Sequence, residues 1–373
     1  MIEFDSVTKR FPGGTRAVDD LDLHIADSQI TVLVGASGCG KTTILRMINR
    51  MIDPTEGRVL IDGNDIRRSD PPTLRRSIGY VIQQAGLFPH RTVARNIATV
   101  PLLLGQSRKQ AHTRAMELLE LVGLPTEYAD RYPHQLSGGQ QQRVGVARAL
   151  AADPPILLMD EPFSAVDPVV RASLQQELLR LQAELHKTIV FVTHDVDEAI
   201  TLGDMIGVFR TGGHLVQYDT PRRLLSHPAN SYVADFLGTD RGIRRLSFVP
   251  ASTLTPRATP VIGPDTTAEQ AREHDAAWFV TVDDQRRPEG WLSRSSLPAT
   301  GTTATFSPLP LGRPFRPDTD PLRAALDSAA LSPAGLAVAV DADGRFLGTV
   351  DHADIGAEIH TSVDSADLGG ELP

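Results

Sequence analysis

A glycine-rich segment, GASGCGKT from Gly35 to Thr42, constrains this chain more than any other stretch of its sequence. The β-branched apolar run just before it predicts a buried strand, and apolar residues recur at helical spacing from Ile44 to Met51. The glycines let the intervening backbone curl with its N–H groups pointing inward, beside the positive end of the new helix. Because such a concavity suits a polyphosphate, we predict a phosphate loop here rather than a plain glycine-rich turn.

The full motif G-x-x-x-x-G-K-[ST] also assigns roles to individual side chains. Lys41 would reach the β- and γ-phosphates of a nucleotide, and the Thr42 hydroxyl would hold Mg²⁺. Cys39 is the chain's one cysteine, so an internal disulfide is excluded and a reducing compartment fits. Its predicted role is that of a small filler within the loop.

Composition sets the outer limits. At 373 residues, with 41% hydrophobic and 22% charged residues, the chain is expected to be a soluble protein of about two domains. No apolar run approaches the roughly 18 residues of a membrane span, and the N-terminus has no signal-peptide core. The net charge of −9, without a basic block, argues against nonspecific nucleic-acid binding. The histidines show no metal-binding spacing, so no zinc is expected.

The segments that flank the phosphate loop read mainly as strands. IEFDSVTKRF alternates polar and apolar residues as an edge strand does, and PGG predicts a turn after it. Phe11, next to this turn, could stack on an adenine or could simply pack. RVLIDGNDI predicts a hairpin, and the strand SIGYVIQ delivers Gln83 at its end.

From residue 87 the pattern turns helical. Helices are predicted over Thr92–Leu104 and Arg108–Val122, and the block ends in LSGGQ, which starts a further helix running to Ala152. Free N–H groups at that start form a second potential anion site around Ser137. The alternative is an ordinary N-cap serine followed by flexible glycines. The helical block is inserted between two strands of an α/β core.

Polar residues then follow two apolar strand runs. Asp160 and Glu161 end the strand ILLMD, at the edge of a parallel sheet where ligands gather. Asp160 is suited to Mg²⁺ and Glu161 to polarising an attacking water, although adjacent carboxylates can also be plain surface charge. His194 ends the strand TIVFVT and is either a satisfied polar residue or a contact for a γ-phosphate.

These motifs in this order resemble the ATP-binding subunits of ABC transporters over roughly residues 1–238. The ordered set is GASGCGKT, Gln83, LSGGQ, ILLMDEP, SAVD (Ser164–Asp167) and His194. More narrowly, INRMIDPTEG, RRSIGYVIQQAGLFPHRTVARNI and KTIVFVTHDVDEAI look like the importers of glycine betaine, choline, carnitine or proline betaine. The resemblance implies an α/β fold: a RecA-like P-loop core, an antiparallel β subdomain, and an inserted helical subdomain at about 87–152.

The resemblance also implies which residues bind ATP and Mg²⁺ and which act in hydrolysis. The implied nucleotide-binding residues are Phe11, Gly35, Ala36, Ser37, Gly38, Cys39, Gly40, Lys41, Thr42, Thr43, Ser137, Gly138, Gly139, Gln140 and Asp167. The implied Mg²⁺ ligands are Thr42, Gln83 and Asp160. The implied catalytic set is Lys41, Gln83, Glu161 as base and His194 as γ-phosphate switch. The sequence departs from the family in having Phe11 for the usual tyrosine and Val166 for the usual leucine.

Partners follow from the same resemblance. Two copies are expected to face each other head to tail around two ATP molecules, and the helical block is expected to contact a membrane permease. A substrate-binding protein would act indirectly, no nucleic acid would bind, and the subunit would lie on the cytoplasmic face of the membrane. The alternative is a soluble ABC-type ATPase acting on nucleic acid or ribosomes. That class would need paired ATPase domains, a long coiled-coil insertion or a basic surface, and the sequence has none of them.

Residues 241–373 have a different character, with twelve arginines, no lysine and eighteen acidic residues. Two similar units, at about 245–298 and 305–360, each read helix, strand, turn, strand. They resemble a tandem pair of CBS modules, a smaller α+β domain expected to regulate transport. Each unit keeps half of the adenosine-binding Ser/Thr and Asp pair: Ser293 with Ser296, and Asp351 with Asp354. An acidic, disordered tail is predicted from Thr361.

Overall fold

The computed structural model describes residues 1–83, 85–164, 166–297 and 307–367. Gln84, Ala165 of SAVD, the start of the second predicted repeat at 305–306, and the end of the predicted acidic tail lie outside the described residues. The chain divides into two compact units, Met1–Leu237 and Gly238–Pro373.

The first unit contains ten strands and ten α-helices. The strands are β1 (Ile2–Arg10), β2 (Arg16–Ile25), β3 (Ile30–Gly35), β4 (Glu56–Ile61), β5 (Asn64–Asp65), β6 (Ile78–Val81), β7 (Ile156–Asp160), β8 (Thr188–Thr193), β9 (Met205–Arg210) and β10 (His214–Asp219). The helices are α1 (Lys41–Ile48), α2 (Pro71–Arg76), α3 (Val93–Ile97), α4 (Thr99–Leu103), α5 (Arg108–Leu121), α6 (Gly138–Leu150), α7 (Pro168–Leu185), α8 (Val196–Leu202), α9 (Pro221–Ser226) and α10 (Ser231–Leu237). These counts refer to the described residues.

A six-stranded sheet in the order β10-β9-β3-β8-β7-β6 forms the core of this unit, and only β10 runs antiparallel to its neighbour. All residues of β3, β7 and β8 are buried, because both faces of the sheet are covered. Ile30, Val32 and Val34 pack into one hydrophobic cluster with α6, α7 and α8, whereas Leu33 packs on the other face. The predicted α/β core is confirmed.

A second, antiparallel sheet has the order β2-β1-β4-β5, so the prediction that β1 is an edge strand is wrong. β1 pairs with β2 on one side and with β4 on the other. The close approach of β4 requires Gly57, since a Cβ there would lie 2.2 Å from the carbonyl oxygen of Ser6. Alternation of polar and apolar residues reports only that one face of a strand is buried, and does not report how many neighbours it has.

The helical block, α3 to α6, lies between β6 and β7 as predicted, but the helix expected over Thr92–Leu104 is divided into α3 and α4. Pro101 has no N–H to donate to the carbonyl of Ile97, so a continuous helix would lose that bond. Ala98 ends α3 at this point. The remaining helices of the block agree with the sequence-based prediction to within about two residues.

The second unit contains two helix–strand–strand repeats, as predicted. Its elements are α11 (Arg241–Arg245), β11 (Val261–Ile262), α12 (Ala268–Glu273), β12 (Trp278–Val282), β13 (Pro288–Ser293), α13 (Leu322–Ala330), β14 (Leu336–Val340), β15 (Phe346–Asp351) and α14 (His352–Asp367). The hairpins β12–β13 and β14–β15 pair in the same register, with a bulge at the same place. Asp283 and Asp341 cap the two turns alike, each accepting two backbone N–H bonds.

The prediction of a disordered tail beginning at Thr361 is wrong for its first part. Helix α14 continues to Asp367. Once a helix is nucleated, each further residue adds one backbone hydrogen bond, so polar residues can extend it beyond the packed segment.

Candidate functional site

The predicted phosphate loop joins β3 to α1 and encloses a lysine. The Lys41 ammonium donates hydrogen bonds to the carbonyl oxygens of Gly35 (2.7 Å) and Ala36 (3.0 Å), which places it inside the curl of the backbone. Cys39 is 1% exposed and belongs to the hydrophobic cluster beneath the loop, with its Sγ 3.6 Å from Lys41 Nζ. The loop therefore has the curl that the glycines predicted, and the thiol fills space below it.

A cleft of about 430 Å³ opens above this loop. Its lining residues are Ala17, Ser37, Gly38, Cys39, Gly40, Lys41, Thr42, Thr43, Arg46, Gln83, Asp160 and Glu161. Four separate parts of the sequence thus meet in one mainly polar cavity. Ala17 and Arg46 were not among the residues predicted from the sequence. Arg46 could have been found, because it lies four residues after Thr42 and so on the same face of α1.

Asp160 and Thr42 lie together at the floor of the cleft. Thr42 Oγ1 donates a hydrogen bond to Asp160 Oδ1 at 2.9 Å, and the hydroxyl of Tyr80 lies 3.5 Å from Oδ2. Burial raises the pKa of the Asp160 carboxyl, and the bond from Thr42 partly opposes that shift. A hydroxyl and a carboxylate side by side are the hard oxygen donors that Mg²⁺ prefers, so these residues fit the ion that the motif implies.

Replacing Asp160 by asparagine should stabilise the ligand-free protein at neutral pH while impairing its activity. Because the pKa of Asp160 is raised in the folded state, its ionisation opposes folding, and the penalty grows as the pH rises from the unfolded pKa of about 3.9 through the folded pKa. Urea unfolding of Asp160→Asn and wild type at several pH values measures the difference in their free energies of unfolding. The gain should shrink as the pH falls toward about 4.

Asp153 supplies a control for this experiment, because its pKa is shifted in the opposite direction to that of Asp160. Its pKa is lowered, chiefly by the hydrogen bond from Lys187, so Asp153→Asn should give no stabilisation at neutral pH. Equal stability of Asp160→Asn and wild type across the pH range would contradict the argument from burial.

Glu161 lies directly after β7 and has an unusual backbone conformation. Its φ of 46° is left-handed, and its N–H donates to the carbonyl of Val192 on β8 at 2.9 Å. Such conformations cost free energy in a residue with a side chain and occur often at functional sites. Here the backbone turn carries the carboxylate out of the buried strand and into the cleft.

Two polar side chains, Gln83 and His194, contact the Glu161 carboxylate. Gln83 Nε2 donates to Glu161 Oε2 at 3.1 Å and to Ser164 Oγ at 3.2 Å, and His194 Nδ1 lies 3.2 Å from Oε1. Gln83, Glu161 and His194 come from the ends of three different strands, so the parallel sheet brings together three of the four residues predicted to be catalytic. Lys41, the fourth, lines the same cleft.

The residues of the LSGGQ segment do not line this cleft. Ser137 caps α6: its Oγ accepts the N–H of Gln140 at 3.3 Å, and Gln140 Oε1 accepts the N–H of Ser137 at 3.0 Å. The N-cap alternative raised from the sequence is therefore present in the chain. Gly138 and Gly139 form the first turn of the same helix.

Four further predicted nucleotide-binding residues also lie outside the lining. Gly35 and Ala36 lie at the start of the phosphate loop, where their carbonyl oxygens accept the hydrogen bonds of Lys41. Asp167 caps α7 by accepting the N–H of Val169 at 3.0 Å. Phe11 lies in the turn between β1 and β2, is 36% exposed, and has Lys9 Nζ 5.4 Å from its ring centre. β2 does reach the phosphate loop, at Ala17.

Comparison with known proteins gives extensive matches, among them two transport ATP-binding proteins. The carnitine transport ATP-binding protein OpuCA of Listeria monocytogenes is 48% identical over 310 residues, which is 82% of this chain and 78% of that protein. The osmoprotectant import ATP-binding protein OsmV of Salmonella typhimurium is 43% identical over 364 residues, covering 94% of both chains.

Across the described residues, no helix combines the length and apolar character needed to cross a membrane.

A solved structure and a family profile agree with these matches. The ATP-binding cassette MJ0796, solved as a dimer in a post-hydrolysis state with ADP and Pi, is 35% identical. It superimposes with a TM-score of 0.55 and covers 59% of this chain and 99% of its own. The profile described as ABC transporter matches residues 18–164. The chain belongs to the ABC transporter family, as an ATP-binding and ATP-hydrolysing subunit of a transport system.

Proposed function

We propose that this chain powers import of quaternary-amine osmoprotectants, such as glycine betaine, choline, carnitine or proline betaine. The names of its relatives support this proposal, because they refer to transport of carnitine and of osmoprotectants. The same names favour an importer over a soluble ATPase acting on nucleic acid or ribosomes. The amine itself would be chosen by the permease and the substrate-binding protein, which this subunit serves from the cytoplasmic face of the membrane.

The observation that carries the hydrolytic part of the proposal is the position of Glu161 between Gln83 and His194. In this arrangement Lys41 and the loop backbone would bind the β- and γ-phosphates, while Thr42, Asp160 and Gln83 would hold Mg²⁺. When bound, the ion neutralises charge on the phosphates. Glu161 orients a water in line with the γ-phosphate and accepts its proton, and His194 contacts the γ-phosphate.

A second copy of the chain completes the proposed site. Ser137–Gln140 and Asp167 belong to no part of the cleft lining, whereas the start of α6 offers backbone N–H groups suited to an anion. The related cassette solved as a dimer supports a pair of subunits. We therefore infer a head-to-tail dimer in which Ser137, Gly138, Gly139 and Gln140 of one copy bind the ATP held by the other, with Asp167 near their contact and Phe11 against the adenine.

The helical block offers a surface for the permease. Phe88 and the segment Leu102–Leu104 are exposed apolar residues on this block. Asn96, which is fully buried, fixes the loop that carries Phe88: its Oδ1 accepts the Phe88 N–H at 2.7 Å, and its Nδ2 donates to carbonyls of Phe88, Arg91 and Thr92. A rigid loop with an exposed aromatic residue suits contact with a membrane-embedded partner.

Transport in vesicles tests the proposal. The chain would be reconstituted with its permease and substrate-binding protein, with Mg-ATP on the side of this subunit, and uptake of labelled glycine betaine, choline and carnitine would be measured. We expect ATP-dependent uptake of at least one of these amines and none with Lys41→Ala. ATP hydrolysis that no quaternary amine stimulates, with no uptake, would refute the assignment of substrate class.

The second unit is proposed to be a CBS-like pair that regulates transport without taking part in hydrolysis. Asp354, the retained acid of its second half-site, is paired with Arg257 at 2.8 Å, while Ser293 contacts Ser295 and Ser296 through hydroxyls. A nucleoside would have to compete with these contacts for the same polar groups. The acidic balance of 241–373 suggests instead an electrostatic contact, which salt would screen.

In the same vesicles, a chain ending at Gly238 should still hydrolyse ATP, since every residue of the cleft lies before that point. Raising ionic strength should activate the intact transporter and leave the shortened one unchanged, because the Debye length falls from about 10 Å at 0.1 M to about 3 Å at 1 M. Identical salt curves for the two proteins would favour a purely structural role for the second unit.

A further inference from the structure

Arg171, in the first turn of α7, reaches two loops at once. Its Nη2 donates to the carbonyl oxygen of Val166 at 3.3 Å, and its Nη1 lies 3.5 Å from Asp195 Oδ2. Its Nε lies 3.9 Å from Glu198 Oε1 and is a buried atom with no hydrogen-bond partner at normal distance. One guanidinium therefore spans the loop before α7 and the segment that begins α8.

The segment on the far side, 193–198, is held by two carboxylates. Glu198 is 5% exposed, and its Oε2 accepts a 2.6 Å hydrogen bond from Thr193 Oγ1. Asp195 donates its N–H to Thr193 Oγ1 at 3.0 Å and caps α8 by accepting the N–H groups of Asp197 and Glu198. His194 lies in the middle of this segment, so its position depends on these contacts.

The burial of Glu198 makes the nearby positive charge of Arg171 important. A buried carboxylate is costly unless a cation or several donors compensate for lost water. Burial raises the pKa of Glu198, and the charge of Arg171 is among the influences that oppose the shift. Gln175 adds only a long contact of 3.4 Å to Oε1. Among the described residues, Arg171 is the cation paired with both Asp195 and Glu198.

We propose that Arg171 is a positioning residue for ATP hydrolysis: it holds the segment 193–198 against Val166, just before α7, and so fixes His194 beside Glu161. The planar guanidinium is suited to this task because two of its donors reach Val166 and Asp195 along separate fixed directions. Its charge also lies near Glu198, with Nε 3.9 Å from Oε1. The proposal rests on the role assigned to His194 in hydrolysis and names the residue that keeps it in place.

Arg180 provides a matched control on the same helix. It also pairs with two carboxylates, Glu177 and Glu184, and it donates to the carbonyl of Leu121, but it is 46% exposed and lies about two turns further from the site. If removal of any arginine from α7 were enough to impair the protein, the Arg171 and Arg180 variants would both be impaired. If the link to His194 is what matters, only the Arg171 variant would be impaired.

The test compares Arg171→Ala, Arg171→Lys and Arg180→Ala in the full-length chain. The first readout is hydrogen exchange of the peptide 192–199 without nucleotide, and the second is the split between kcat and KM for Mg-ATP. For Arg171→Ala we expect hydrogen exchange of this peptide to be roughly tenfold faster or more, and kcat to be roughly tenfold lower or more. KM for Mg-ATP should stay within about twofold of the wild-type value. Arg180→Ala should match wild type in both.

Arg171→Lys separates charge from geometry. It keeps the positive charge but cannot donate to Val166 and Asp195 at once in the guanidinium geometry, so its kcat should fall between those of wild type and Arg171→Ala. It also serves as the test if Arg171→Ala does not fold. Unchanged exchange in peptide 192–199 would overturn the proposed link. A raised KM together with a lowered kcat and a lowered thermal stability would mean a general structural role. A wild-type chain that fails to hydrolyse ATP would instead refute the function, while the exchange data would still test the contact.

Discussion

Glu161→Gln is expected to reduce kcat for ATP hydrolysis by roughly 10²- to 10⁴-fold, because glutamine has the same shape but cannot accept a proton. The backbone bond to Val192 and the contact with Gln83 can persist, so the cleft should keep its form. Binding of ATP depends mainly on the phosphate loop, so the variant should accumulate as an ATP-bound dimer. Phosphate release measures the first effect and size-exclusion chromatography with ATP measures the second.

A matched control for this substitution is Glu184→Gln, which removes an exposed carboxylate on α7 far from the cleft lining. It should hydrolyse ATP at the wild-type rate and form no nucleotide-dependent dimer beyond the wild-type amount. Near-normal turnover in Glu161→Gln would mean that another group accepts the proton, and the role assigned to Glu161 would be withdrawn.

Gly40→Ala is expected to lower the free energy of unfolding by about 3 kcal/mol or more and to abolish ATP binding. Gly40 has a φ of 107°, and a Cβ there would lie 2.1 Å from the carbonyl oxygen of Ala17 on β2. Both atoms that clash belong to the backbone or to Cβ, so no side-chain rotation can relieve the contact. The phosphate loop or β2 must move, which would deform the cleft.

Gly38→Ala is the control for Gly40→Ala, because it tests the left-handed conformation without the contact with β2. Its φ of 77° is also left-handed, but no atom lies within 4 Å of the site where a Cβ would stand. Gly38→Ala should therefore lose only about 1–2 kcal/mol, the usual cost of a left-handed conformation. Urea unfolding measures the stability of both variants, and titration with a fluorescent ATP analogue measures binding. Equal losses in the two would show that contact with β2 does not restrict the loop.

The residues assigned here to ATP binding and hydrolysis could be named from the sequence because each belongs to a short local pattern. The phosphate loop needs glycine, lysine and threonine at fixed spacing between a strand and a helix, and this requirement is visible in GASGCGKT. Gln83, Asp160 and His194 end apolar strand runs, and in a parallel sheet such ends meet at one edge. That edge is where the structure has the cleft.

What the sequence left undetermined depends on pairs of residues distant along the chain. β1 was expected at an edge, but it lies between two strands because β4, about fifty residues later, pairs along it. That pairing needs a glycine at position 57, where a Cβ would clash with the Ser6 carbonyl. Tyr80 beside Asp160 and Arg171 beside Glu198 carry no motif of their own. Their importance arises from burial, which strengthens every contact between polar groups.

The sequence by itself determined the α/β class, the order of the ATPase motifs and the repeat in the second unit, because these follow from local spacing, hydrophobic periodicity and backbone preference. Only the tertiary structure decided the neighbours of β1, the carboxylate-centred contacts of Glu161, the crowding at Gly40 and the bridge made by Arg171. Those features depend on atoms brought within a few ångströms by folding, and linear distance along a chain does not encode which atoms will meet.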